Sequence, residues 1–360
     1  MRRNISRLNE KLAGLGVPLR PHLKTCKSID IARLLMPGNA GPATVSTLRE
    51  AEYFATAGVR DITYAVGISP DKFARVAALR SWGVDLGIIL DSLDQARALG
   101  DYVAAFHDRI PALIEIDSDG HRSGVAPDAR DLLEIGRQID ASGAEVRGVL
   151  THAGGSYGAN SEAALRRAAE EERAAVVLAA SRLREAGLSC PVVSVGSTPT
   201  AFSASNLAGV TEVRAGVFVF FDLVMAGIGI CAISDIALSV MATVTGHQKD
   251  RSWIIVDAGW TALSRDRGTA RQAVDQGYGV VCDVNGQVIE DLIVTETNQE
   301  HGILAIRPGS RAGLPTLPVG TRVRLLPNHA CATAAQHDGY HVLSNDGTKV
   351  TAYWPRVRGW

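Results

Sequence analysis

Through the first two-thirds of the chain, short β-branched apolar runs alternate with longer stretches whose apolar residues recur at helical spacing. Parallel β/α units require this alternation. The pattern predicts strands over 17–23, 43–46, 62–66, 84–90, 112–117, 146–152, 192–196 and 211–214. Helical patterns fall between them at 71–83, 92–106 and 129–143, and the longest runs over 161–187, rich in Ala, Glu, Arg and Leu. Gly187 stands where a C-terminal cap belongs. Eight such alternations predict a (β/α)8 TIM-type barrel. An open doubly wound sheet would share the alternation, but no Gly-x-Gly-x-x-Gly follows the first strand to mark a dinucleotide fold.

After about residue 235 the texture changes to strands separated by turns, with hairpin signals at Asn285-Gly286 and Asp346-Gly347. The expected division is a barrel over 1–235 and a mostly-β domain over 236–360. Composition narrows the class: 46% hydrophobic residues support a real core, and 37 basic against 38 acidic residues exclude a strongly basic nucleic-acid or membrane-surface binder. The five cysteines, Cys26, Cys190, Cys231, Cys282 and Cys331, are scattered without a Cys-x-x-Cys pair. Reduced thiols in a cytoplasmic protein are therefore expected. No apolar stretch reaches the roughly 20 residues a bilayer crossing needs, and the basic N-terminus lacks the apolar run of a secretory signal.

In a (β/α)8 barrel the reactive residues cluster just past the C-terminal ends of the strands. Lys24 falls there after strand one, Arg122 after strand five, and His152 at the end of strand six with Gly154, Gly155 and Tyr157 beyond it. Gly196-Ser197-Thr198-Pro199-Thr200 follows strand seven, and Arg214-Ala215-Gly216 follows strand eight. Glycine beside hydroxyl donors before a short helix suits a phosphate, because backbone N–H groups can approach and the helix start favours negative charge. Taken singly, each feature has a plainer reading: a capped helix start for Ser197, a satisfied strand-end residue for His152, surface ion pairs for the arginines.

The segments RPHLKTCKS, TVSTLREAEYFATAG, DSDGHRSGV, LTHAGGSY, VVSVGSTPTA, VRAGVFVFFD and PNHACAT together resemble the D-serine dehydratase and D-threonine aldolase family. That family has the alanine-racemase fold type, a barrel plus a β domain, and uses pyridoxal 5'-phosphate. The resemblance implies Lys24 as the Schiff-base lysine, with Lys27 its neighbouring competitor. It implies Arg122 on the cofactor's phenolic oxygen, His152 against the pyridine ring and Tyr157 lining the pocket. Ser197 and Thr198, with the backbone of Gly196 and Gly216, would hold the phosphate, and Arg214 would face the pyridine nitrogen. His329-Ala330-Cys331 would be the metal pair, imidazole and thiolate on one side of an extended segment, suited to Zn2+ or Mn2+. His337, Asp338 and His341 crowd that pair in sequence, and Arg265 and Arg267 are candidates for a second substrate carboxylate.

Cys331, where the aldolase branch tends to carry aspartate, tilts the implied reaction towards a dehydratase. SRDRGTARQ, NQEHGILA and the closing RGW resemble the members of the family that dehydrate threo-3-hydroxy-D-aspartate, which implies that substrate, with oxaloacetate and ammonia as products. D-Serine dehydration, D-threonine retro-aldol cleavage and a non-catalytic pyridoxal-phosphate-binding protein are the alternatives, and a homodimer is implied. Members of the family open on a segment like TPALVIDLDR, so Met1 is expected to lie within that opening, leaving one strand of the β domain unsupplied.

Overall fold

Eight parallel strands carry the first part of the chain: β1 (Leu19–Pro21), β2 (Ala43–Val45), β3 (Asp61–Gly67), β4 (Asp85–Leu90), β5 (Pro111–Ile116), β6 (Glu145–Thr151), β7 (Val192–Val195) and β8 (Glu212–Ala215). The computed structural model describes residues 1–360 except Pro37, Asn39 and Asn345. It divides into two units, Arg2–Phe218 with Gly359–Trp360, and Val219–Arg358 with Met1. The strands follow the order β1-β8-β7-β6-β5-β4-β3-β2, and the alanine-racemase-like barrel is realised. Strands covered on both faces need no polar alternation, and Leu86–Leu90 of β4 and all of β5 are buried. Ile89, Leu113 and Leu150 meet in one apolar cluster with Ala65 and Val192 against it.

Helices cover the outside with apolar stripes of period 3.6. Leu132, Ile135 and Ile139 form one such stripe in the helix Arg130–Ala141. The longest helix, Glu162–Glu185, is N-capped by Ser161 and ends before Gly187, whose φ of +79° is the left-handed conformation a helix terminus favours.

The seam between β1 and β2 is the thinnest part of the ring. Pro18 and Pro21 remove two N–H donors, so the seven-residue run predicted for the first strand forms only a three-residue ladder. Closure falls to His22, which donates its N–H to Ala215 O at 2.8 Å and bridges to Thr44, and to Leu23 N, which donates to Thr44 O at 2.8 Å. Side chains complete the seam. Arg20, 9% exposed, places Nε 2.6 Å from Glu212 Oε2 and Nη1 2.6 Å from Asp61 Oδ1, and its Nη1 also reaches Ala43 O at 3.4 Å. One guanidinium thus links β8, β1, β2 and β3. Glu212 Oε1 accepts from Ser194 Oγ at 2.6 Å, and Ser194 Oγ accepts from Arg214 Nη1 at 2.6 Å.

The second unit holds a closed antiparallel barrel of β9 (Val240–Gln248), β10 (Trp253–Val256), β11 (Gly279–Cys282), β12 (Val288–Thr297), β13 (Gly302–Ile306) and β14 (Arg322–Pro327), in the order β10-β13-β12-β11-β14-β9. Its core is aliphatic, including Val244, Ile254, Val281, Leu292, Leu304 and Leu325. The Asn285-Gly286 signal lies in the β11–β12 turn, where Gly286 N donates to Asp283 O. Asp346-Gly347 lies between β15 (Gly339–Leu343) and β16 (Val350–Pro355), a separate hairpin. Among the described residues no helix is long and apolar enough to cross a membrane.

Replacing Glu212 by Ala leaves the buried Arg20 Nε and the Ser194 hydroxyl without their acceptor, while Asp61 still pairs with the guanidinium. Leaving buried donors unsatisfied costs about 1–3 kcal/mol, and urea unfolding of Glu212→Ala should show a loss of that order.

Candidate functional site

Two polar clusters stand out, one in each unit. In the first, Lys24 lies half-buried one turn past β1, and its backbone N–H faces His22 Nδ1 at 3.5 Å. Lys27 is engaged elsewhere: its Nζ lies 2.9 Å from Oε1 of Glu50, a side chain 1% exposed. Glu50 also accepts from Ser46 N at 3.0 Å, so the Lys27 charge serves the start of the next helix.

His152 follows β6, and its Nδ1 lies 2.8 Å from Gly196 O. A carbonyl only accepts, so Nδ1 carries the proton. Burial, reinforced by the charges of Lys24, Arg122 and Arg214, outweighs that hydrogen bond and pushes the ring pKa down to about 3. The ring is therefore neutral with Nε2 unprotonated. Burial likewise drives His22 well below its ordinary value, with Lys24, Arg214 and His152 adding to the shift. The Tyr157 ring centroid is 6.2 Å from that of His152, at 51°.

Arg214 is buried, donating through Nη1 to Ser194 Oγ and through Nη2 to Thr151 O. Burial lowers it to about 10 against the pull of Glu212, Glu172 and Glu115, so it stays cationic at neutral pH. Arg122 is exposed and stands 3.6 Å from Glu115, which also accepts from Ser123 Oγ at 3.1 Å.

The segment after β7 is packed on every side. Gly196 has φ +149°, and a Cβ there would sit 1.9 Å from Arg214 O, so only glycine fits. Ser197 caps the short helix Thr198–Ser203 in a reciprocal pair with Thr200. Its Oγ also lies 3.1 Å from Ser156 Oγ. Thr198 Oγ1 accepts from Phe218 N at 3.3 Å, and Gly216 lies against His22 O, 2.8 Å from where its Cβ would be. Lys24 and Arg214 therefore act on both neutral imidazoles and Arg122 on His152, a setting that fits an anionic group such as a phosphorylated, phenolate-bearing cofactor.

The second cluster centres on His329. The extended arrangement expected for His329-Ala330-Cys331 is not what forms. His329 is extended, but Ala330–Ala334 is a helix, because Asp222 Oδ2 accepts from Ala330 N at 2.9 Å and satisfies its first turn. His329 and Cys331 still share a side-chain hydrogen bond. Asp266 Oδ2 lies 3.0 Å from His329 Nδ1. Although burial opposes it, hydrogen bonds to Asp266 and Cys331 and the nearby Asp222 charge raise His329 to about 11. A carboxylate on Nδ1 fixes the ring so that Nε2 can ligate, an arrangement common at metal-bound histidines. Imidazole, thiolate and an orienting carboxylate suit a borderline-soft divalent ion such as zinc held by two protein donors, with ligation displacing the His329 proton. No group of three or more potential ligands occurs among the described residues.

Other residues near this pair in sequence are occupied differently. Arg267 pairs with Asp275 at 2.6 Å and lies over Tyr278, and Arg265 lies over Trp260. His337 Nε2 contacts Ala262 O at 2.9 Å, Asp338 pairs with Arg358 at 2.8 Å, and His341 packs on Tyr353. Sequence reasoning passed over Asp266, Asp222 and Glu172. Asp266 lay between two arginines that drew attention instead. Glu172 carried a signal, a carboxylate within the buried stripe Leu165, Ala169, Glu172, Val176, Ala179 and Leu183.

Comparison with known proteins gives a consistent pattern. The alanine racemase N-terminal domain matches residues 1–224, and a serine dehydratase domain matches 237–343. The chain is 54% identical to D-threo-3-hydroxyaspartate dehydratase of Delftia sp. (strain HT23), covering 100% of this chain and 95% of the relative. Two solved structures of D-threo-3-hydroxyaspartate dehydratase are each 53% identical over 100% of the chain. One is a histidine-to-alanine mutant, with TM-score 0.97 and 92% of its chain covered. The other is a cysteine-to-alanine mutant in the metal-free form, with TM-score 0.96 and 95% covered.

The low pKa of His152 has a measurable consequence. Its folded value lies below the unfolded one, so the unfolded chain binds more protons between about pH 6.5 and 3. The neutral ring's contribution is fully present above pH 6.5 and is lost as pH falls through that window. His152→Phe should flatten the pH dependence of urea stability between pH 6.5 and 5, by at most about 1.4 kcal/mol per pH unit. An unchanged slope would mean that His152 titrates normally in the folded protein.

Proposed function

The chain belongs to the family of the alanine racemase N-terminal domain, and from that premise we propose that it is a D-threo-3-hydroxyaspartate dehydratase, a lyase dependent on pyridoxal 5'-phosphate and a divalent metal. The observation that carries the reading is the His329-Ala330-Cys331 pair with His329 clamped by Asp266. It is the only His-x-Cys in the 360 residues. The two mutants among the solved dehydratases replace a histidine and a cysteine two positions apart, and the latter is metal-free.

Pyridoxal phosphate, when bound, supplies the electron sink that acidifies the substrate's Cα–H bond. A divalent metal, zinc or manganese, would be held by His329 and Cys331 and supplies the Lewis acid that makes the β-hydroxyl a tolerable leaving group. The chain's own residues do the rest. Lys24 would hold the cofactor covalently through Nζ and, once freed, take the Cα proton there. Arg122 would donate to the phenolic oxygen, and His152 and Tyr157 would line the ring. Ser197, Thr198 and the peptides of Gly196 and Gly216 would hold the phosphate.

Arg214, proposed opposite the pyridine nitrogen, can only donate, so that nitrogen stays unprotonated. The sink is weaker for it, which is why leaving-group activation matters. Loss of water gives an enamine that becomes an imine and hydrolyses to oxaloacetate and ammonia. The water gained in hydrolysis balances the water lost. The same reading takes the protein as a cytoplasmic homodimer.

Supplied with D-threo-3-hydroxyaspartate, the purified protein should release ammonia and oxaloacetate in equal amounts, and excess EDTA should suppress both. Glycine and an aldehyde from D-threonine would instead identify an aldolase. His329→Ala and Cys331→Ala should each lower turnover by about 100-fold or more while keeping the cofactor absorbance band. Lys24→Ala should lose the band itself, and its survival would place the covalent link elsewhere.

A further inference from the structure

We propose that Glu172 is a positioning residue that sets the tautomer and orientation of the His152 ring through Gly196. Its side chain is supplied by the helix Glu162–Glu185, and the residue is 2% exposed. One oxygen, Oε1, accepts from Ala153 N at 3.0 Å and from Gly196 N at 3.0 Å. Those donors belong to different segments, one following β6 and the other following β7. Ala153 is the residue directly after His152, and Gly196 O is the atom to which His152 Nδ1 donates at 2.8 Å.

Gly196 is therefore held on both sides of its Cα, its N–H by Glu172 and its carbonyl by His152. A Cβ at this position would stand 1.9 Å from Arg214 O, so only glycine fits between the two contacts. With the carbonyl fixed, the ring must present Nδ1–H to it and keep Nε2 unprotonated. The carboxylate also takes a side-chain hydrogen bond from Thr200, the capping partner of Ser197, so the helix start belongs to the same assembly. An apolar residue at 172 would leave two buried N–H groups without an acceptor. Glutamine would not: its amide oxygen can replace Oε1 for both donors, and its NH2 can donate to Thr200 Oγ1. The inference rests on the proposed function only for what His152 does towards the cofactor.

The test uses the full chain labelled with 15N-histidine, with long-range 1H–15N spectra of the ring nitrogens from pH 5 to 8. A His152→Gln variant assigns the signal. The wild type should show the Nδ1–H tautomer at His152 with no titration across that range. Glu172→Ala should give a mixed tautomer or a titrating ring, and should weaken pyridoxal-phosphate binding, followed by absorbance, roughly tenfold. Glu172→Gln should keep the wild-type tautomer and bind the cofactor within about threefold of wild type.

An unchanged His152 tautomer in Glu172→Ala overturns the proposal. So does a Glu172→Gln variant that loses the tautomer, and this second arm decides the matter if the alanine variant does not fold. Should the wild type bind no pyridoxal phosphate, the proposed function fails, while the ring-nitrogen spectra still decide the role of Glu172.

Discussion

The guanidinium of Arg20 sits where the first barrel has least backbone to hold it closed, and it bonds to Glu212 and Asp61 across the seam. Proline spacing leaves β1 and β2 with three residues each, so the ring closes through one bridge and this side chain. The same interaction reaches the candidate site. Glu212 receives Ser194, and Ser194 receives Arg214, whose other donor reaches the carbonyl of Thr151, the last residue of β6. A buried charge is tolerated only when each partner is satisfied. The seam and the arginine proposed to face the cofactor ring are consequently links of one hydrogen-bonded chain.

The two clusters use histidine in opposite ways, and the surroundings decide which. His152 is buried among Lys24, Arg122 and Arg214 and stays neutral despite a hydrogen bond that favours its charged form. His329 is buried too, yet Asp266, Cys331 and Asp222 outweigh the burial and keep it protonated. Burial works against the charged ring in both places, and the sign of the neighbouring charges separates them. A neutral ring suits a position against a cofactor. A ring held by a carboxylate suits exchange of its proton for a metal.

Much of the first barrel was legible because period-2 and period-3.6 patterns are local properties of the chain. Seven of the eight strands lie within one residue of their predicted ends, and β1 is two residues shorter at each end, where the missing proline donors shorten the ladder. That Lys24 and His152 fall just past strand ends was legible because position along a β/α unit fixes the rim, whereas Arg214, expected to follow the last strand, lies within β8. Closure of the second barrel was not, since strand order there depends on pairings between residues far apart. Glu172 and Asp266 escaped for a related reason. Their roles come from partners 19, 24 and 63 positions away in sequence, and no motif brings those together. The helix at Ala330–Ala334 escaped because its first turn is satisfied by Asp222, far upstream.

On the proposed function, the positive charge around the first cluster would also tie the protein's abundance to the supply of its cofactor. Lys24, Arg122 and Arg214 bear on neighbouring imidazoles that must stay neutral, a strain that an arriving phosphate and phenolate would relieve. Because only the folded barrel assembles this rim, cofactor capture would add directly to folding stability, by about 2.7 kcal/mol when the cofactor stands at 100 times its dissociation constant. In a cell short of vitamin B6, the unfolded fraction would rise and proteolysis would remove it. The amount of protein would then follow the vitamin supply without any dedicated regulator.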